Sequence, residues 1–133
     1  MNLLLDTHVL LWAAGVSGRL PAPTRALIEN LDNETFFSAA SIWEVAIKSA
    51  QGRPGFNIDP FFLRRHLLEQ GYAELAVAGD HAATTVLLPA IHKDPFDRIL
   101  IAQAQTEGLT LLTADQTVAR YPGQIQNIRS ANR

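Results

Sequence analysis

The chain contains no cysteine. Disulfides, thiolate catalysis and cysteine-based zinc sites are therefore excluded, and a reducing, cytoplasmic compartment is the natural expectation. Long hydrophobic runs are also missing. No segment approaches the ~20 apolar residues needed to span a bilayer, so no membrane partner is expected. The opening "MNLLLDTHVLLWAAG" lacks a basic start and is interrupted by Asp6 and His8, unlike a signal peptide. There is no Gly-x-x-x-x-Gly-Lys segment, which removes the P-loop nucleotide binders. Strong charge of either sign is absent too. A formal net charge of −2 argues against a protein that grips nucleic acid by bulk charge alone. Lysine is scarce: arginines outnumber lysines nine to two, and arginine is the better fork for phosphate oxygens.

What is present suits a packed domain. The sequence has 133 residues, 47% of them hydrophobic, enough for one domain over 1–133 with a real core. Short apolar runs read as strands buried on both faces: Asn2 to Asp6, Glu34 to Ala39, Ala73 to Ala78, Leu109 to Asp115 and, more weakly, Gln124 to Ile128. Between them lie helical patterns over Thr7 to Ala14, Pro21 to Leu31, Ser41 to Gly52, Asp59 to Gly71, Asp80 to Pro89 and Asp94 to Gly108, several opened by an acid and proline and closed by glycine. The alternation predicts an α/β fold, a three-layer α/β/α sandwich around a mostly parallel sheet of four to five strands. Trp12 and Trp43 fall on helical patterns and read as core or interface.

In such a sheet, ligands bind outside the carboxyl ends of the strands. Asp6 ends the first strand, Glu44 follows the second in the next helix, Asp97 sits in the first turn of its helix, and Asp115 follows "LTLLT". Four acids thus arrive at one edge. Crowded carboxylates raise one another's pKa, and a divalent cation removes the repulsion. Oxygen ligands without cysteine or paired histidines point to Mg2+ or Mn2+. Each acid also has a plain structural use. Asp6 and Asp94 suit N-caps, Glu44 completes a Ser41-x-x-Glu44 capping box, and Asp115 suits a cap on "QTVAR". Asp80 reads as a helix cap. The four histidines have no metal-ligand spacing; His8 and His92 stand nearest the site.

The stretches "LLLDTHVLLWA", "SAASIWEVAIK", "HKDPFDRILIAQA" and "LTLLTAD", in that order, resemble the four signature blocks of PIN-domain ribonucleases. They are most similar to the VapC-type toxins of bacterial toxin–antitoxin pairs, from residue 2 to about residue 121. The resemblance implies a PIN-like sandwich and a Mg2+- or Mn2+-dependent endoribonuclease acting as a toxin. It matches Asp6, Glu44, Asp97 and Asp115 to the family's catalytic, metal-binding acids. Thr7, Ser38 and Thr113 then occupy small hydroxyl positions that orient carboxylates or bound water, and Asp94 belongs to a "DPFDR" subgroup pattern. The implied partners are an RNA substrate, a cognate antitoxin protein and a second copy in a homodimer.

For the chemistry, the expectation is that Asp6 and Asp97 are the principal ligands, Asp115 completes the site, and Glu44 acts through a bound water or on a second ion. Arg98 is a candidate phosphate clamp, or else an ion pair with Asp94; Lys48 suits an i,i+4 pair with Glu44. The sequence reads as lacking aromatic–basic interleaving, which disfavours a large nonspecific strand-binding groove and favours a short or structured RNA. Competing readings are a haloacid-dehalogenase phosphatase, which needs an acid where His8 stands, and a receiver domain, which needs a lysine after a late strand. A non-catalytic PIN-like module binding RNA or protein is the remaining alternative.

Overall fold

A computed structural model describes residues 1–16 and 18–129. Five strands, β1 (Asn2–Leu5), β2 (Glu34–Ser38), β3 (Ala73–Leu75), β4 (Thr110–Thr113) and β5 (Ile125–Asn127), form one sheet of order β3-β2-β1-β4-β5. Every pairing is parallel. Six α-helices accompany it: α1 (Thr7–Ala13), α2 (Ala22–Glu29), α3 (Ala39–Ala50), α4 (Pro60–Glu69), α5 (Gly79–Thr84) and α6 (Pro95–Glu107).

The apolar runs explain the three layers. Along β1, Leu3 and Leu5 join a core built with Val9 and Leu10 of α1, Val45 of α3 and Leu63 and Leu67 of α4. Leu4 points the opposite way, into a core with Leu100, Ile101 and Ala104 of α6. Neighbouring strands repeat the alternation: register pairs Leu4 with Leu111 and Leu5 with Leu112, and the two cores take them separately. A strand covered on both faces must be apolar throughout, which is what "NLLL" and "TLLT" show.

Helix ends follow local chemistry. Asp59 and Asp94 accept backbone N–H groups at the starts of α4 and α6, each followed by proline at the first helical position. Gly108 ends α6 at φ +69°, a left-handed turn that suits glycine. Three expectations need correction. The pattern over Asp80 to Pro89 is a short α-helix followed by a 3-10 turn at Thr85–Leu87, where consecutive β-branched residues disfavour continued α-helix. Asp80 does not cap it: Ala78 occupies the cap position, and His81 Nδ1 accepts the Ala78 N–H at 2.9 Å. The third strand is three residues long, since it lies at the sheet edge with β2 as its single neighbour. Among the described residues, no helix is long and apolar enough to cross a membrane.

Candidate active site

The carboxyl ends of β1, β2 and β4 meet at the N-terminal turns of α1, α3 and α6. Asp6 follows β1 directly, and its N–H continues the ladder to Leu112 O at 3.0 Å. The side chain caps α1, with Oδ1 accepting Val9 N–H at 3.0 Å. Oδ2 accepts the hydroxyl of Thr113, the last residue of β4. Asp6 is only 5% exposed. Burial, and secondarily the charge of Asp115, raises its pKa above the ordinary value against the opposing pull of the Thr113 and Val9 hydrogen bonds.

Glu44 is equally buried, at 3% exposed. Thr7 Oγ1 donates to its Oε1 at 2.6 Å, with Ser41 Oγ 3.0 Å from the same hydroxyl, and Lys48 pairs with Oε2. The i,i+4 ion pair expected for Lys48 is therefore present. The capping box is not. Ser38 caps α3 by accepting Ala40 N–H at 3.0 Å, so Ser41 lies inside the helix and turns toward Thr7. Ser38 thus has a helix-starting contact rather than a carboxylate.

Asp97 occupies the first turn of α6, one turn after its cap Asp94. Asp94 Oδ1 accepts Phe96 N–H at 2.8 Å and Asp97 N–H at 3.2 Å. His92 Nε2 and Asp97 Oδ2 share a hydrogen bond of 2.7 Å. Burial first, then the charge of Asp94, pushes the Asp97 carboxyl up to about 7, and Asp6 and Glu44 add to the rise. Asp115 is exposed. Its Oδ1 accepts Thr117 N–H at 2.7 Å and Val118 N–H at 3.3 Å, the cap role open to it in the sequence.

The structure thus brings Asp6, Glu44 and Asp97 within electrostatic reach of one another, with Asp115 beside Asp6. The tightest group able to hold a metal differs from the four expected acids: His92, Asp94 and Asp97 offer ligand atoms within 4.8 Å of one another. The reason is visible in the partners. Asp6 and Glu44 have turned their oxygens to Val9, Thr113, Thr7 and Lys48, the donors that stand nearest. Even so, the donor set suits a hard divalent cation. It is carboxylate-rich, contains no sulfur, and holds two acids at raised pKa, where a positive ion relieves both burial and repulsion.

Two residues take roles that differ from, or are more specific than, their sequence readings. His92 was read without a ligand role and lies against Asp97; its loop is fixed because His92 N–H donates to Tyr121 Oη at 2.7 Å. Arg98 is neither paired with Asp94 nor free for phosphate. Its guanidinium donates to Thr85 O (2.8 Å), Pro89 O (3.1 Å), His92 O (3.3 Å) and Tyr121 Oη (3.2 Å). It therefore braces the segment that carries His92. Surface chemistry also differs from expectation. α4 exposes Phe61 and Phe62, with Phe62 stacked on His66 and Arg65 over its ring, so "FFLRRH" is an aromatic–basic interleaving after all. Trp43 is 63% exposed and not core; it meets Phe96 edge-on at 5.4 Å.

Comparison with known proteins agrees with this architecture. Residues 3–124 match the family model described as PIN domain. The chain is 32% identical over 121 residues to Ribonuclease VapC22 of Mycobacterium tuberculosis, covering 90% of this chain and 92% of that protein. Among solved structures it is similar to VapBC2 from Rickettsia felis bound to a DNA fragment from their promoter, with TM-score 0.69, 14% identity and coverage of 95% and 98%. DNA-bound VapBC from Salmonella typhimurium is also similar, with TM-score 0.67, 17% identity and coverage of 95% and 97%. At those identities the likeness to solved structures speaks for the fold.

Proposed function

Because the chain belongs to the PIN-domain family, we propose that it is a metal-dependent endoribonuclease, the toxin of a toxin–antitoxin pair, hydrolysing RNA phosphodiester bonds. One observation carries this reading. Asp6 and Glu44 are buried at one sheet edge and both raise the pKa of Asp97, a costly arrangement for a structural surface.

Asp6 and Asp97 would hold a Mg2+ or Mn2+ ion, with Asp115 completing the site. When bound, the ion supplies an acidified water and neutralises phosphate oxygens. The chain's own residues do the rest. Thr113 fixes the direction of Asp6 Oδ2, and Thr7 does the same for Glu44 Oε1. Lys48 balances the Glu44 charge, which supports a role for Glu44 through a metal-bound water rather than as a direct ligand. Asp97, whose carboxyl is pushed up by burial and by the neighbouring acids, is the group whose ionised, ligating form a cation would stabilise most. His92 orients it, and Asp94 and Arg98 hold that loop and helix start in place.

The protein partner of such a toxin is an antitoxin, as in the VapBC assemblies to which the fold is similar. For the homodimer, support comes from an apolar groove of about 640 Å³ between α3 and α6, lined by Trp43, Phe96 and Ile99. Val86 and Leu87, both exposed, follow Thr85 of the same groove.

The test uses purified protein and total cellular RNA in Mg2+, Mn2+ or EDTA. Cleavage should need the metal and should disappear in Asp6→Asn and Asp97→Asn, while metal raises the wild-type Tm and leaves the Asp97→Asn Tm unmoved. Removing either acid should raise the metal-free Tm by relieving repulsion. Wild-type cleavage rates in both variants would end the assignment.

A further inference from the structure

A small cavity opens beside Asp6 and Asp115. It measures about 220 Å³ and is lined by Asp6, His8, Trp12, Ala114, Asp115 and Arg129. Arg129 is the one lysine or arginine among the residues lining it, exposed, with its guanidinium 5.6 Å from the centre of the Trp12 ring. We propose that Arg129, seated on Trp12, is the residue that grips a substrate phosphate at this site. The proposal rests on the ribonuclease reading and deepens it.

Three features make the placement a built one. Ile128 is buried, and its N–H donates to Thr113 O at 2.8 Å, so the backbone ahead of Arg129 is tied to the residue whose hydroxyl holds Asp6. Trp12 stands on α1, the helix Asp6 itself caps. Its indole is fixed in turn by Gly18: a Cβ at that position would lie 2.1 Å from Trp12 Nε1. Both halves of the Arg–Trp pair therefore start from the same carboxylate.

The guanidinium is also available. Asp6 accepts hydrogen bonds from Val9 and Thr113, and Asp115 accepts Thr117 and Val118 N–H groups at Oδ1. Among the described residues, neither acid forms an ion pair with Arg129 although both line its cavity. Of the other cations near the acids, Lys48 is committed to Glu44 and Arg98 to three carbonyls and Tyr121, while Lys93 lines the groove between α3 and α6 and not this cavity. An acidic crevice repels a polyanion, so one forked cation held by an aromatic face at its rim offsets that repulsion and fixes phosphate orientation.

The experiment compares wild type, Arg129→Ala, Arg129→Lys and Trp12→Phe, using a fluorescein-labelled 20-nucleotide RNA of randomised sequence. Cleavage kinetics are read in Mg2+, and binding by fluorescence anisotropy in Ca2+. Arg129→Ala should raise KM and Kd about tenfold, with kcat, Tm and the metal-induced Tm shift unchanged; the slope of log Kd against log salt should fall by about 0.7. Arg129→Lys should recover part of the loss, and Trp12→Phe should lose less than Arg129→Ala. If wild type cleaves and Arg129→Ala keeps wild-type KM and Kd, this inference falls and the ribonuclease reading stands. If wild type binds but does not cleave, while Arg129→Ala loses binding, the contact stands and the ribonuclease reading falls. Loss of Tm or of the metal response in Arg129→Ala overturns the contact in favour of a structural role.

Discussion

The hydroxyl of Thr113 donates to Oδ2 of Asp6, a bond between residues 107 positions apart in the chain. It joins the ends of two adjacent strands and fixes the direction of a buried carboxylate. Thr113→Val keeps the shape and removes the donor. Because this bond lowers the Asp6 pKa, its loss pushes that pKa still higher. Expected outcomes are a loss of about 1–3 kcal/mol in EDTA by chemical denaturation and a metal affinity weaker by roughly tenfold in thermal-shift titration. Unchanged values on both axes would show that Thr113 does not brace the site.

Asp97 predicts an unusual pH response. Its folded pKa, about 7, lies above the unfolded value near 3.8. Below the unfolded value both states hold the proton; between the two values the folded state alone holds it; above about 7 neither does. The metal-free protein should therefore lose stability as pH rises from about 4 to about 7, with a slope of roughly 1 kcal/mol per unit, and then level off. Asp6 adds in the same direction. Denaturation midpoints in EDTA across this window measure it, and Asp97→Asn should flatten the curve. A wild-type stability that climbs from pH 4 to 7 contradicts the assignment.

Arg98 should behave as a structural residue. Its donors hold Thr85, Pro89, His92 and Tyr121 together. Arg98→Ala should cost about 2–4 kcal/mol, and at temperatures where the variant stays folded its KM for RNA should match wild type. A raised KM at unchanged stability would restore the phosphate-clamp reading.

Trp43 gives the test of self-association. Trp43→Glu places a charge in the apolar groove and leaves both cores untouched. Light scattering after size exclusion should give a dimer for wild type and a monomer for the variant. Equal masses for the two proteins would remove this surface from consideration.

Much of this is legible in the sequence. A strand buried on both faces has to read as "NLLL" or "TLLT", so β1 and β4 announce themselves, and the residue after such a run falls at the crevice edge. Asp6 is legible by that route, whereas Glu44 and Asp97 are legible as acids in the opening turns of helices expected at the same edge. Asp-Pro at residues 59 and 94 declares a helix start as a matter of local stereochemistry. What stayed hidden depends on side-chain direction. Arg98 turns to carbonyls because the 3-10 turn and Tyr121, 23 residues away, present acceptors that no local spacing reveals. Trp43 shares α3 with Ile42 and Val45, which pack inward, while Trp43 lies on the outer side. Ser41 looked like a cap because serine three residues before glutamate usually is one; Ser38, at the strand end, took that place. Arg129 carries no motif at all, and only the path of β5 brings it to Trp12.

The order of the sheet has one more consequence, for how such a chain is made. The strand synthesised first, β1, is flanked by β2 on one side and by β4 on the other. Asp6 precedes β2, but the hydroxyl that aims it belongs to residue 113, and the cation proposed to seat the substrate to residue 129. A nascent polypeptide on the ribosome therefore carries its first acid long before it can use it. The site is complete only once β4 and the residues that follow β5 have joined the sheet.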